Sequence, residues 1–214
     1  MNTSRRALLA LAVLPAFAGC RTVYYTAMEK VGFEKRDLLR RAVKAARGEQ
    51  QDAGKQYQDA LQQLQAIYGR SGSNLEKAYD KLKAEYESCA ADTKAVQARI
   101  KEMDRVASDL FREWEGEIRQ MDDATLSGSS RDKLAQTRTN FANVSSALHR
   151  SYEAMPPVLK KLQDHVLYLK HNLNAEALGS LRGRAQEIEG DIQTLLTRMN
   201  AAIAEADGFV KTLK

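Results

Sequence analysis

LEKAYDKLKAEYESCAADTKAVQARIKEMDRVASDLFREWEGEIRQM, residues 75–121, decides the fold. Leu75, Tyr79, Leu82, Tyr86, Cys89, Thr93, Val96, Ile100, Met103, Ala107, Leu110, Trp114 and Met121 recur in alternating steps of four and three, and only Glu117 interrupts them. A repeat averaging 3.5 residues places every member on one stripe of an α-helix, the stripe a neighbouring helix covers. A helix from Leu75 to about Thr125 is expected, about 75 Å long at 1.5 Å per residue. The cluster Ser127-Gly128-Ser129-Ser130 is expected to end it, with Ser129 or Ser130 capping the helix that follows.

The same period extends in both directions. Upstream, Leu39, Val43, Ala46, Gln50, Ala53, Tyr57, Ala60, Leu64 and Ile67 form a seam whose alanines permit close helix approach. Gly69-Arg70-Ser71-Gly72 closes that rod, and Ser73 with Glu76 makes a capping box for the next. Downstream, Leu134, Phe141, Leu148, Met155, Leu162 and Leu169 lie at strict sevens, with Ser145, Tyr152, Leu159, Val166 and Leu173 as companions. This register runs through Pro156-Pro157, which predicts one bent helix rather than a new element. A fourth seam, from Leu181 through Ile188, Ile192, Leu195, Met199 and Phe209 to Leu213, is out of phase with the third. A break between Leu173 and Leu178 is expected, with Asn172 and Asn174 as turn or capping residues, and a kinked continuous helix is the rival reading. The expected fold is all-α: an elongated antiparallel coiled-coil bundle of about four long helices, residues 31–214.

Residues 1–19, MNTSRRALLALAVLPAFAG, read as a signal peptide. Arg5 and Arg6 form the basic region, Ala7–Phe17 is an apolar stretch too short to span a bilayer, and small residues precede Cys20. This is the arrangement of a bacterial lipoprotein, with Cys20 as the residue that carries the lipid and residues 20–30 as the tether. Of 33 basic residues two leave with the signal, so 31 face 28 acids and the charge falls from +5 to about +3. So small an excess, spread along the chain, points away from nucleic acid. With Cys20 acylated, Cys89 has no disulfide partner, and its place on an apolar seam makes it a small buried hydrophobe. Three prolines, few aromatics and no alternating β-branched runs point away from sheet.

Two stretches are more specific than the heptads around them: GFEKRDLLRRAVKAARGEQ, residues 32–50, and MPPVLKKLQDHVLYLKHNLNAEALGSL, residues 155–181. They resemble an uncharacterised family of proteobacterial lipoproteins known as a domain of unknown function, and the resemblance covers nearly all of the mature chain. It implies a lipoprotein and adds no catalytic residue. Some members of that family bear the label DNA-repair ATPase. The residues here do not match it, because no glycine cluster ends in the Lys-Ser/Thr that cradles phosphate and places magnesium.

Other chemistry is equally thin, and the chain is read as non-catalytic, with no cofactor and no metal. His149, His165 and His171 are not paired with Glu at metal-binding spacing. Ser130-Arg131-Asp132-Lys133 fits a Ser-x-x-Lys nucleophile pattern but lacks its partner motifs, and a capped helix start explains the same letters. Glu113, Glu115, Glu117 and Glu187, Glu189, Asp191 read as solvated helix faces. Asp164-His165, Lys170, His171, Asn172 and Asn174 make either a recognition patch or a set of groups satisfying backbone freed by the prolines and the break. Lys35, Arg36 and Arg40 stand near the lipid anchor, where they form either a contact for anionic headgroups or a solvated face.

The function this supports is a lipid-anchored periplasmic scaffold or adaptor of the cell envelope. Arg21 after Cys20 lacks the aspartate that retains lipoproteins in the inner membrane, so the outer membrane is the expected location. The membrane through the anchor and an envelope protein or peptidoglycan are the expected partners, with a homo-oligomer also compatible. The alternative is a bundle that holds a small apolar ligand in a gap lined by Tyr57, Tyr79, Tyr86 or Trp114. An even number of rods returns the C-terminus toward the anchor, which disfavours coupling of Lys214 to peptidoglycan.

Overall fold

Each heptad seam becomes the buried stripe of a helix. The computed structural model describes residues 35–68, 75–172 and 175–213. They form α1 (Lys35–Tyr68), α2 (Leu75–Ile118), α3 (Ala124–Glu153), α4 (Met155–His171) and α5 (Ala175–Thr212). No strand occurs among the described residues. The signal, Cys20, the tether, the Ser73 cap, Leu173, Asn174, and Lys214 lie outside them.

α3 and α4 are one rod. Ala154, between them, stays in right-handed helical geometry (φ −79°, ψ −16°), and Pro156 and Pro157 occupy the first turn of α4, where missing N–H groups do least harm. The architecture is therefore an all-α bundle of four rods. Cross-rod pairs give the directions. Arg99 meets Glu49 and Gln56 meets Glu85 between α1 and α2. Between α2 and α3, Asp104 meets Ser145 and Glu115 meets Arg138, and along the third and fourth rods Phe141 on α3 meets Phe209 while Lys161 on α4 meets Glu187 and Asp191 on α5. Arg47 on α1 reaches Asp207 on α5 while Gln65 reaches Glu189. In every adjacent pair one number rises as the other falls, so neighbouring rods are antiparallel.

The α1 seam is buried at all nine expected positions. Opposite it, a Cβ placed on Gly54 would sit 3.9 Å from Leu196 Cδ2 and Met199 Sδ, ordinary contact that marks a close approach of α1 to α5. Phe111, Phe141 and Phe209 stack edge-on across α2, α3 and α5, with ring centres 5.7 and 5.9 Å apart. Cys89 is fully buried and its thiol is pushed up by burial, the state of an inert core cysteine.

Three expectations are corrected. α2 stops at Ile118, making it about 66 Å long, and the chain turns at 119–123 before the serine cluster. Asp123 is the cap, its Oδ1 accepting from the N–H groups of Thr125 and Leu126 at 2.8 and 2.9 Å. Ser127, Gly128, Ser129 and Ser130 consequently lie inside α3, and Met121, expected on the seam, is exposed while Phe111 and Ile118 are buried. A straight helix drifts against a 3.5 repeat, and the buried stripe moves by one residue along α2.

In the third rod the residues at strict sevens are all buried, and of their expected companions Val166 is buried while Ser145, Tyr152 and Leu159 are only half-buried, their places taken by Val144, Ser151, Val158 and His165. α4 ends at His171 and α5 begins at Ala175, and Asn172, one of the expected turn or capping residues, is the C-cap of α4. Asn172 leaves helical geometry (φ −134°, ψ 56°) and its Nδ2 donates to the Tyr168 carbonyl at 2.9 Å.

Candidate functional site

The sequence-derived contact residues separate into two poles. Lys35, Arg36 and Arg40 begin α1, whereas Lys170, His171 and Asn172 end α4. Gln50 meets Ser151, Tyr57 meets Met155 and Tyr68 meets His165, so α1 and the α3–α4 rod run parallel across the core. The start of one and the end of the other therefore stand about 50 Å apart, the length of α1. At the first pole Arg40 pairs with Asp37 at 2.5 Å. At the second, Lys170 and His171 are exposed, and Asn172 is committed to its capping bond.

The residues between the poles do structural work. Tyr57 is fully buried, with its hydroxyl 2.9 Å from Thr93 Oγ1 and 3.3 Å from the Met155 carbonyl, while the Thr93 hydroxyl donates to the Cys89 carbonyl at 2.7 Å. Trp114 Nε1 donates to Ser130 Oγ at 2.8 Å, which uses the serine of the Ser-x-x-Lys pattern as an acceptor. Gln50 is buried completely; its Nε2 donates to Ser151 Oγ and its Oε1 has no partner among the described residues. The acid runs are not merely solvated. Glu115 takes Arg138 at 2.6 Å, which holds its carboxyl below the usual range, and Glu187 and Asp191 clasp Lys161 at 2.6 and 2.5 Å.

Toward the second pole, α4 and α5 enclose a groove of about 560 Å³ lined by Lys161, Asp164, His165, Tyr168, Arg184, Glu187 and Ile188. Ile188 is a buried apolar floor and Tyr168 a partly exposed rim. His165 projects from the seam, is 6% exposed, and shares a 2.6 Å hydrogen bond through Nδ1 with the Tyr68 hydroxyl at the end of α1. Burial pushes the imidazole pKa down, with the Arg184 charge adding to the effect and Asp164 and Glu187 opposing it. Burial likewise pushes the Tyr68 phenol up, so both partners are neutral near pH 7.

Of the residues singled out in the sequence, Asp164, His165 and Glu187 of the second acid run reach this groove. Lys161, Tyr168 and Arg184 gave no signal of their own in the sequence. The one available cue was the seven-residue step Val144, Ser151, Val158, His165, which a reading confined to apolar letters passes over.

Comparison with curated proteins and with solved structures returned no match. A family profile, described as protein of unknown function (DUF2959), matches residues 24–213. Spanning nearly the whole chain, that match makes this protein a member of the DUF2959 family, whose activity is undescribed.

Proposed function

We propose that this chain is a non-catalytic scaffold or adaptor of the cell envelope, acylated at Cys20, held in the outer membrane and facing the periplasm. The observation that carries the reading is the separation of two polar poles by the full length of a well-packed rod. Lys35, Arg36 and Arg40 stand near the anchor in sequence, where headgroups would be, and Lys170, His171 and Asn172 stand about 50 Å farther along the bundle. A spacer with a membrane end and a partner end needs that separation, and fully buried layers such as Leu39, Leu82, Leu148 and Leu195 supply the stiffness. Of the four side chains that would line a gap for an apolar ligand, Tyr57 and Trp114 spend their polar atoms on neighbouring helices, and Tyr79 and Tyr86 are half-buried.

The test is in-cell photocrosslinking from Lys35 and Lys170, followed by mass spectrometry of the envelope adducts. One recurrent envelope protein or a peptidoglycan adduct at position 170, with lipid adducts at position 35, is expected. Adducts that do not differ between the two positions would sink the two-ended reading. Metabolic palmitate labelling tests the anchor: label should vanish in Cys20→Ser, and label that persists removes the basis for the location.

A further inference from the structure

We propose that the groove between α4 and α5 is a binding site for a small organic monocarboxylate, held by Arg184 and His165 over the floor made by Ile188. The argument runs from the hydrogen-bond partners of His165 to the charge balance at the mouth. A phenol O–H is a stronger acid than an imidazole N–H, so Tyr68 donates to Nδ1, 2.6 Å away. Neutral imidazole then carries its proton on Nε2, and that N–H is the polar atom His165 has for the groove it lines. A helix seam position does not need a histidine. Its near-complete burial with one nitrogen fixed by another helix is how a recognition group is held in a single orientation.

The surrounding charges select the ligand class. Lys161 is engaged by Glu187 and Asp191, and Asp164 is engaged by Lys160 at 2.5 Å. Among the described residues Arg184 is the cation at the groove that has no carboxylate of its own. One guanidinium suits one carboxylate, which it grips with two parallel N–H bonds. A multiply charged anion finds no net positive field there, because Glu187 and Asp191 outnumber the lysine they share. An amine would meet two donors, Arg184 and His165, and the carboxylates of the lining, Asp164 and Glu187, are already engaged by Lys160 and Lys161. The remaining lining, Ile188 and the Tyr168 ring, favours a ligand with an apolar body, and a volume near 560 Å³ is in the range of small-molecule sites.

The site stands independently of the adaptor reading, since a ligand so placed lies within a turn of Lys170 and works equally in a spacer or in a carrier. Its test is a titration of the full chain bearing Cys20→Ser, followed by the carbon-bound proton resonances of its three histidines. The probe is octanoate, with 1-octanol as the uncharged counterpart and inorganic phosphate as the multiply charged one. Octanoate should move the His165 resonances saturably below about 20 mM, the range of a single charged contact plus partial apolar burial, while His149 on α3 stays still. Arg184→Gln, at an exposed position that leaves the fold intact, should weaken the effect about tenfold or more, as loss of a charge-assisted pair requires. Equal responses to octanol, an undiminished response in Arg184→Gln, a stronger response to phosphate, or no response at all would each overturn the proposal.

Discussion

His165 and Gln50 are polar side chains in seams built for apolar ones, and each carries a measurable consequence. Burial and Arg184 hold the His165 pKa below its unfolded value of about 6.5, so the unfolded chain takes up the proton first. The full contribution to stability is present above that value and is lost as the pH falls from it through the folded pKa. Urea midpoints measured between pH 7.5 and 5 should therefore fall more steeply for the native sequence than for His165→Gln. A difference between the two proteins that does not change with pH would remove the claim. At Gln50 the amide is half satisfied: Nε2 donates to Ser151 while Oε1 has no partner among the described residues. Ser151→Ala should cost about 1–3 kcal/mol, because it orphans the buried amide further. Adding Gln50→Leu to it should recover at least that loss by removing the polar pair together. Chemical denaturation decides this, and a double variant less stable than Ser151→Ala would contradict it.

The helix ends are set by side-chain caps, and the α2–α3 turn is where this matters most. Asp123→Ala should lower stability by about 1 kcal/mol, since two N–H groups at the start of α3 lose their acceptor. Ser129→Ala, at the expected cap that turned out to be helix interior, should change it by less than about 0.5 kcal/mol. Reversed magnitudes in thermal or urea melts would return the cap to the serine cluster. The misplacement has a physical origin. Serine and glycine weaken a helix by amounts that tertiary contact overrides, and Ser127 is buried with its hydroxyl turned back to the Ala124 carbonyl at 3.2 Å. Along α1 every position expected from spacing is buried, Gln50 included, and only Leu38 and Leu61 are buried besides them. In the third rod Tyr152 and Leu159 attracted the reading toward themselves, because polar Ser151 and His165 do not announce a core face. The groove was less legible still: Tyr68 and His165 are 97 positions apart, and only the parallel course of α1 and α4 brings them together.

At the scale of the whole molecule, four antiparallel rods put the first turn of α1 and the last turn of α4 at opposite ends, so charge changes at the two poles should be separable. A basic residue near an anionic surface contributes about 1 kcal/mol at physiological salt, an effect confined to roughly a Debye length. Fifty ångströms is several such lengths. Reversing Lys35, Arg36 and Arg40 to glutamate in the Cys20→Ser chain should thus reduce flotation with phosphatidylserine-containing vesicles tenfold or more, and raised salt should reduce the native binding in the same way. Lys170→Glu with His171→Glu should leave flotation unchanged, because a bundle standing end-on with the α1 pole on the surface holds the other pole out of range. If both sets weakened binding equally, the bundle would be lying along the membrane rather than standing on it. An end-on spacer would then be the wrong reading of the two poles, although the antiparallel course of the rods would be untouched.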